Sequence, residues 1–390
     1  MASTRTWDIF CTVVDNYGDI GVCWRLARQL AAEHAFDVRL WVDDLDSFRR
    51  ICPDIVPSRE SQRSHNVEVR RWREPFPVIS PADVVVEAFA CNPPQSYVAA
   101  MAAREPKPAW INLEFLSAED WVRGCHGLPS PQPALGLTKY FFFPGFVSGT
   151  GGLLAEQGLM KARDRFQHSA VEQARFWDRL NLGRPRAGEV QVSLFCYAHP
   201  GVDGLLRAWS DGGASVRCLV PQGIATQSMS AFFGTENLAA GTVLRKAGLE
   251  VRVFSFMDQD DYDRLLWACD LNLVRGEDSF VRAQWAARPL LWHIYAQKDQ
   301  AHWPKLQAFL DLYCRGLPGD VVEAVEKFSQ AWNKGDGAKI EAAWADFWGH
   351  RVELQMHASR WAEQLAQPGN LANNLVQFCQ NLLKYRALDR

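Results

Sequence analysis

Polar and apolar positions along the chain alternate between two rhythms. Short, near-continuous apolar runs fall at 7–14, 38–42, 83–88, 109–113 and 140–143, and residues 23–34 repeat their apolar positions at helical spacing. Strand-length apolar runs separated by amphipathic stretches predict a parallel sheet covered on both faces. Residues 181–188 (Asn-Leu-Gly-Arg-Pro-Arg-Ala-Gly) then break the pattern with glycine, proline and charge, and read as a linker. The rhythm restarts with strands expected at 190–197, 216–220, 251–256, 271–274 and 290–294. From about residue 300 the pattern turns helical, interrupted by turns at Gly335-Asp336-Gly337 and Pro368-Gly369-Asn370. The pattern predicts an α/β chain of two Rossmann-like domains, 1–180 and 181–365, followed by a helix over 366–390 that packs back on the first domain. Two such sheets are expected to face one another across a cleft at their C-terminal edges, where open parallel sheets bind ligands.

Composition narrows the function classes. The 390 residues are 48% hydrophobic, as an ordered globular protein requires, and 42 basic against 45 acidic residues leave a net charge of -3. That balance argues against a nucleic-acid partner, which usually demands a basic excess. The start Met1-Ala2-Ser3-Thr4-Arg5-Thr6-Trp7 lacks the apolar core of a secretory signal, and no apolar run reaches membrane-span length. The expectation is a soluble cytoplasmic protein with no membrane attachment. Ten cysteines include no C-x-x-C pair and none with zinc spacing to histidine, so they read as buried reduced thiols.

Two loops carry candidate chemistry. The strand at 7–14 runs into Asp15-Asn16-Tyr17-Gly18-Asp19-Ile20-Gly21 and a helix follows. This is the first β-to-α loop, a usual ligand position, but its two glycines and two carboxylates are not the three-glycine dinucleotide fingerprint. Carboxylates repel a diphosphate, so Asp15 and Asp19 suit a cationic or protic acceptor. A turn cap at Asp15 and a helix N-cap at Asp19 would explain the same residues without function. The strand at 271–274 ends in Arg275-Gly276-Glu277-Asp278-Ser279 before another helix. Arginine, glycine and serine at a helix start favour an anion, and Arg275 adds charge-assisted bonds to a diphosphate. Glu277 and Asp278 suit sugar hydroxyls, while Asp278 or Ser279 as a plain N-cap is the alternative.

Other positions are weaker. Phe195, Tyr197, Phe256 and Gln259 follow strands of the second half and are candidates for a base pocket, and Tyr295 follows the strand at 290–294. Ser148-Gly149-Thr150-Gly151-Gly152 lacks a P-loop ending and reads as a flexible turn. His293 and His302 lack metal spacing and read as structural. Asp258-Gln259-Asp260-Asp261 reads as a helix start, so neither a metal nor a cofactor is expected.

Together these residues resemble the bacterial protein-arginine rhamnosyltransferases that modify elongation factor P. The resemblance lies in Asp15–Gly21 with Val22-Cys23-Trp24-Arg25-Leu26-Ala27, in Ile111-Asn112-Leu113-Glu114-Phe115-Leu116, in Phe142-Phe143-Pro144-Gly145-Phe146, and in Arg275–Ser279 with Phe280. It implies a GT-B fold and transfer of rhamnose from dTDP-β-L-rhamnose to an arginine of elongation factor P with inversion. The modified factor would then rescue ribosomes stalled at polyproline. The resemblance also implies that the N-terminal domain docks the protein acceptor and the C-terminal domain holds the donor. On that pattern Asp19 is the general base, Asp15 a second carboxylate, and Glu277 essential beside the donor. Arg275, Asp278 and Ser279 would bind the diphosphate, with Phe195, Tyr197, Phe256, Gln259 and Tyr295 completing the pocket. Three rivals stay open: a glycosyltransferase with another donor or a small acceptor, an NAD-dependent oxidoreductase, and a non-catalytic binder of elongation factor P.

Overall fold

The structure, a computed structural model, describes residues 5–15 and 17–388. Asn16 of the first loop, the opening residues Met1–Thr4 and the last two residues of the expected terminal helix lie outside the described residues. The chain forms two compact units, Met1–Gln157 with Leu365–Arg390, and Gly158–Gln364.

The first unit runs β1 (Thr6–Cys11), α1 (Gly18–His34), β2 (Asp37–Val42), α2 (Leu45–Ile51), β3 (Ser61–Ser64), β4 (Val67–Arg71), β5 (Val84–Ala88), α3 (Gln95–Ala103), β6 (Ala109–Leu113), α4 (Val122–Cys125), β7 (Pro129–Gln132) and β8 (Leu137–Phe142). Its sheet has the order β3-β4-β2-β1-β5-β6-β8-β7, parallel except at the two outer pairs. Alternation across the pleat divides the core. Trp7, Ile9 and Cys11 of β1 join Val84, Val86, Ala109 and Ile111 on one face, while Phe10, Val85 and Trp110 face the other way beside Trp41, Phe76 and Tyr97. With both faces covered, β5 and β6 are buried at every position. Asp8 is fully buried in β1, and Arg39 neutralises it with two bonds of 2.6 Å from Nε and Nη2.

The second unit continues with α5 (Leu159–His168), α6 (Ala170–Arg179), β9 (Val190–Leu194), α7 (Val202–Asp211), β10 (Val216–Pro221), α8 (Thr226–Phe233), β11 (Val243–Lys246), β12 (Leu249–Phe254), α9 (Gln259–Ala268), β13 (Leu271–Arg275), α10 (Asp278–Trp285), β14 (Leu290–His293), α11 (His302–Tyr313), α12 (Gly319–Lys334), α13 (Gly337–Gly349) and α14 (Arg351–Leu365). Its sheet has the order β11-β12-β10-β9-β13-β14, and only β11 is antiparallel to its neighbour. The unit begins ahead of the expected linker at 181–188. The reason is that α5 docks on this second sheet's helices: Arg163 Nη1 donates to the Trp285 carbonyl at 3.0 Å, and Gln167 Nε2 donates to the Trp267 and Ala286 carbonyls at 3.0 Å each.

The last helix, α15 (Leu371–Leu388), returns to the first unit, where Leu371, Ala372, Leu375, Val376 and Cys379 enter the core beside α1. The loop at 148–152 is the seat for this return and is not the flexible turn its composition predicts. Gly151 and Gly152 are buried, Asn374 Nδ2 donates to the Gly151 carbonyl at 3.0 Å, and a Cβ on Gly152 would lie 2.5 Å from the Gly369 carbonyl oxygen. Only glycine permits that approach. Among the described residues, no helix is long and apolar enough to cross a membrane.

Candidate active site

Both loops singled out by sequence leave the C-terminal ends of parallel strands, and each is tied back by the second residue of the helix it enters. In the first unit β1 ends at Cys11 and α1 begins at Gly18. The N-cap is Tyr17, which makes no side-chain capping bond, so Asp19 is not the cap. From the first turn its Oδ2 accepts the backbone N–H groups of Val14 and Asp15, both at 2.8 Å. The carboxylate therefore shapes the loop that leads into its own helix. Asp15 closes the same turn, its carbonyl accepting the Gly18 N–H at 2.7 Å, and a Cβ on Gly18 would lie 2.9 Å from Asp15 Oδ2. Asp43, beyond the end of β2, braces the loop by accepting the Val13 N–H at 2.9 Å. Sequence reading missed Asp43, and two adjacent acids directly after the neighbouring strand were its only signal.

Asp19 is only 5% exposed. Burial raises its pKa, the two backbone N–H groups pull it down, and the negative charges of Asp15 and Asp43 push it up again; the outcome lies above the ordinary aspartate value. A carboxylate in this setting is a stronger proton acceptor than one in water, and two fixed bonds hold it in place.

In the second unit the predicted donor residues converge from four strand ends. Phe195 and Tyr197 follow β9, Arg275 ends β13, Tyr295 follows β14, and Phe256 and Gln259 follow β12. The Arg275 guanidinium carbon lies 4.7 Å from the ring centroids of both Phe195 and Tyr197, which holds the cation between two aromatic faces. Phe195 meets Phe256 edge-on at 6.2 Å, and Tyr197 meets Tyr295 edge-on at 5.5 Å. Gly276 has φ 63, a left-handed turn that suits glycine, and its carbonyl accepts the Trp292 indole N–H at 2.8 Å. The N-cap of α10 is Glu277, without a side-chain capping bond. Neither Asp278 nor Ser279 is therefore the cap. Asp278 Oδ2 accepts from Gln259 Nε2 at 3.0 Å, and the Ser279 hydroxyl donates to the Arg275 carbonyl. The N-cap side chain thus makes no capping bond at the first turn of α10, and an arginine stands one residue before the glycine turn. This is the arrangement that binds an anion. A cavity of about 350 Å³ reaches Phe256 from the side of Leu182, Thr242, Arg252 and Phe254.

His293 belongs to a group that sequence spacing did not reveal. The Cys196 sulfur and ring nitrogens of His199 and His293 lie within 4.8 Å of one another, brought together by the adjacency of β9, β13 and β14. Burial drives His199 down to about 4 and, with His199 and Arg275 adding repulsion, His293 to about 3, while burial pushes the Cys196 thiol up to about 12. His293 Nδ1 accepts the Tyr197 N–H at 3.2 Å, so the neutral ring carries its proton on Nε2. In that tautomer it offers no lone pair to a metal, and the group acts as neutral packing behind Tyr197. The Asp258–Asp261 segment is the helix start its sequence predicts, with Asp258 capping α9 through the Asp261 N–H at 2.8 Å.

The model of the elongation factor P (EF-P) rhamnosyltransferase EarP family matches residues 7–380. The chain is similar to the protein-arginine rhamnosyltransferase of Pseudomonas aeruginosa, 51% identical over 96% of this chain and 98% of that one. The Pseudomonas putida protein of the same name is 52% identical over 97% and 99%. A solved structure described as the structural basis for EarP-mediated arginine glycosylation of translation elongation factor EF-P aligns with TM-score 0.69 and 36% identity over 97% of this chain and 99% of that one. The UDP-GlcNAc 2-epimerase of Neisseria meningitidis bound to UDP-GlcNAc, at TM-score 0.50 and 10% identity over 98% and 100%, shares only the fold. The architecture is α/β of the GT-B type. The extent of these matches, over both units and all the blocks that carry the site, establishes that the chain belongs to the elongation factor P rhamnosyltransferase (EarP) family and is a rhamnosyltransferase enzyme.

Proposed function

We propose that this chain transfers rhamnose from dTDP-β-L-rhamnose to an arginine side chain of elongation factor P in the cytoplasm, with inversion at the anomeric carbon and without a metal. The observation that carries the reading is the buried Asp19 carboxylate, fixed through Oδ2 and raised in basicity. Arginine is a difficult nucleophile. Its pKa of about 13 against about 4 for aspartate is a gap of roughly nine units, or about 12 kcal/mol, so Asp19 does not deprotonate it in the ground state. As a guanidinium nitrogen bonds to the anomeric carbon, its proton becomes acidic and passes to Asp19, while the carbon–oxygen bond to the diphosphate breaks. Attack opposite the leaving group inverts that carbon. Asp15 holds the planar guanidinium beside Asp19.

The leaving diphosphate takes up the electron pair. Arg275 and the uncapped start of α10 stabilise it, with Ser279 fixing the loop and Asp278 held by Gln259. Glu277 sits at that same helix start and meets the sugar hydroxyls. Phe195, Tyr197 and Tyr295 line the donor, and the cavity beside Phe256 takes the base. The names of the relatives support the arginine acceptor, and the family description supports elongation factor P. Intact-mass measurement tests the reading: elongation factor P incubated with this protein and dTDP-rhamnose gains one deoxyhexose on arginine. No mass change with dTDP-rhamnose under conditions where the donor binds would overturn it.

A further inference from the structure

We infer that the tips of β5 and β6 form the seat of the acceptor guanidinium, with Glu114 taking its N–H groups and Phe115 offering it an aromatic face. The inference rests on the arginine acceptor proposed above. Strand register supplies the position. Phe10 pairs with Glu87 and Ala88 with Leu113, so Phe89 follows level with Thr12 and Glu114 level with Phe89. The Phe89 N–H continues the ladder to the Leu113 carbonyl at 2.7 Å. Glu114 is therefore two strand spacings, about 10 Å, from the point where β1 releases the Asp15–Asp19 loop.

Phe89, Ala90 and Asn92 all have left-handed backbone, with φ 56, 54 and 52, a conformation side chains other than glycine's rarely adopt. Asn112, buried in β6, holds this turn by accepting the Ala90 N–H on Oδ1 at 3.1 Å, and its Nδ2 donates to the Glu114 carboxylate. The strained turn places Phe89 in a stack with Phe115, centroids 4.5 Å apart and planes 19° from parallel. Phe115 stays 44% exposed, an apolar face open to solvent at the ligand edge of the sheet.

The charges around Glu114 select a cation. The Lys139 ammonium bonds the fully buried Glu87 carboxylate at 2.6 Å and also attracts Glu114, so two carboxylates share one cation. Burial raises the Glu114 pKa, Lys139 and the Asn112 amide pull it down, and Glu87 pushes it up again; the outcome lies above the ordinary glutamate value, and an incoming cation favours the ionised form. A planar cation that stacks on one face and donates along its edges matches an aromatic ring beside a carboxylate; guanidinium does this and ammonium does not.

The experiment measures initial rates with elongation factor P and dTDP-rhamnose for Glu114→Gln and Phe115→Ala, with dTDP affinity and melting temperature on the same preparations. The expected result is KM for elongation factor P raised roughly tenfold or more by Glu114→Gln, with the smaller part of the loss in kcat and dTDP affinity unchanged. Phe115→Ala is expected to raise the same KM. An unchanged KM in both variants, or a loss that follows melting temperature and dTDP affinity, overturns the seat while leaving the transfer reaction standing. Wild-type protein that adds no sugar to elongation factor P overturns the function and the seat together.

Discussion

The loops that enter α1 and α10 solve one structural problem with opposite chemistry. Each leaves a buried parallel strand, turns at or beside a glycine, and enters a helix whose N-cap makes no side-chain capping bond. In each, the second helical residue reaches back to the loop. Asp19 does so as an acceptor and occupies two backbone N–H groups; Ser279 does so as a donor and occupies a carbonyl. The first choice buries a negative charge and fills the N–H groups an anion would use. The second ties the loop through a carbonyl and places beside Arg275 an N-cap without a side-chain capping bond. Which partner a β-to-α loop takes is thus decided less by the backbone than by whether the tying side chain accepts or donates.

The largest expected effect comes from removing the charge of the accepting side chain. Asp19→Asn keeps an oxygen for the Val14 and Asp15 N–H groups but cannot take a proton. Single-turnover mass spectrometry should show the transfer rate falling by about 10²- to 10⁴-fold with dTDP affinity intact. A normal rate would remove Asp19 as the base. Next, Arg275→Ala should weaken dTDP binding, measured by calorimetry, by roughly ten- to a hundredfold, the range for losing charge-assisted hydrogen bonds. Unchanged affinity would take Arg275 out of the diphosphate site. The smallest effect belongs to Ser279→Ala, which loosens the loop without removing a charge. It should cost about 1 kcal/mol of dTDP binding, or roughly fivefold, and a loss as large as that of Arg275→Ala would mean that the hydroxyl itself carries the anion.

Much of this was readable in the chain because apolar runs mark buried parallel strands directly. The strand at 109–113 has the bounds its pattern predicts, and the turns at 335–337 and 368–370 separate helices as composition requires. The outer strands β3, β7 and β11 were invisible, since each is short, polar and exposed on one side. The unit boundary was misread for a related reason: α5 and α6 are amphipathic, and amphipathicity says that a helix packs without saying on which sheet. In the site, both loops were legible from residue type and position. Their internal bonds were not, because Asp beside a helix start looks the same whether it caps the helix or folds back on the loop. Asp43, His199 and the Phe89–Phe115 stack depend on which strands lie side by side, and strand order is a property of the sheet alone.

The pH dependence of transfer tests Asp19 most directly. A raised pKa means that the carboxylate becomes protonated, and stops acting as a base, at a higher pH than an ordinary aspartate, whose midpoint is about 3.9. Measured at saturating elongation factor P, so that acceptor binding does not contribute, the single-turnover rate should fall as pH drops through a midpoint above that value. Affinity for dTDP-rhamnose, whose diphosphate is esterified at both ends and so keeps its charge, should remain level over the same window. A rate that is flat down to the ordinary aspartate range, or one that falls only in step with affinity for dTDP-rhamnose, would contradict the assignment of Asp19 as the base.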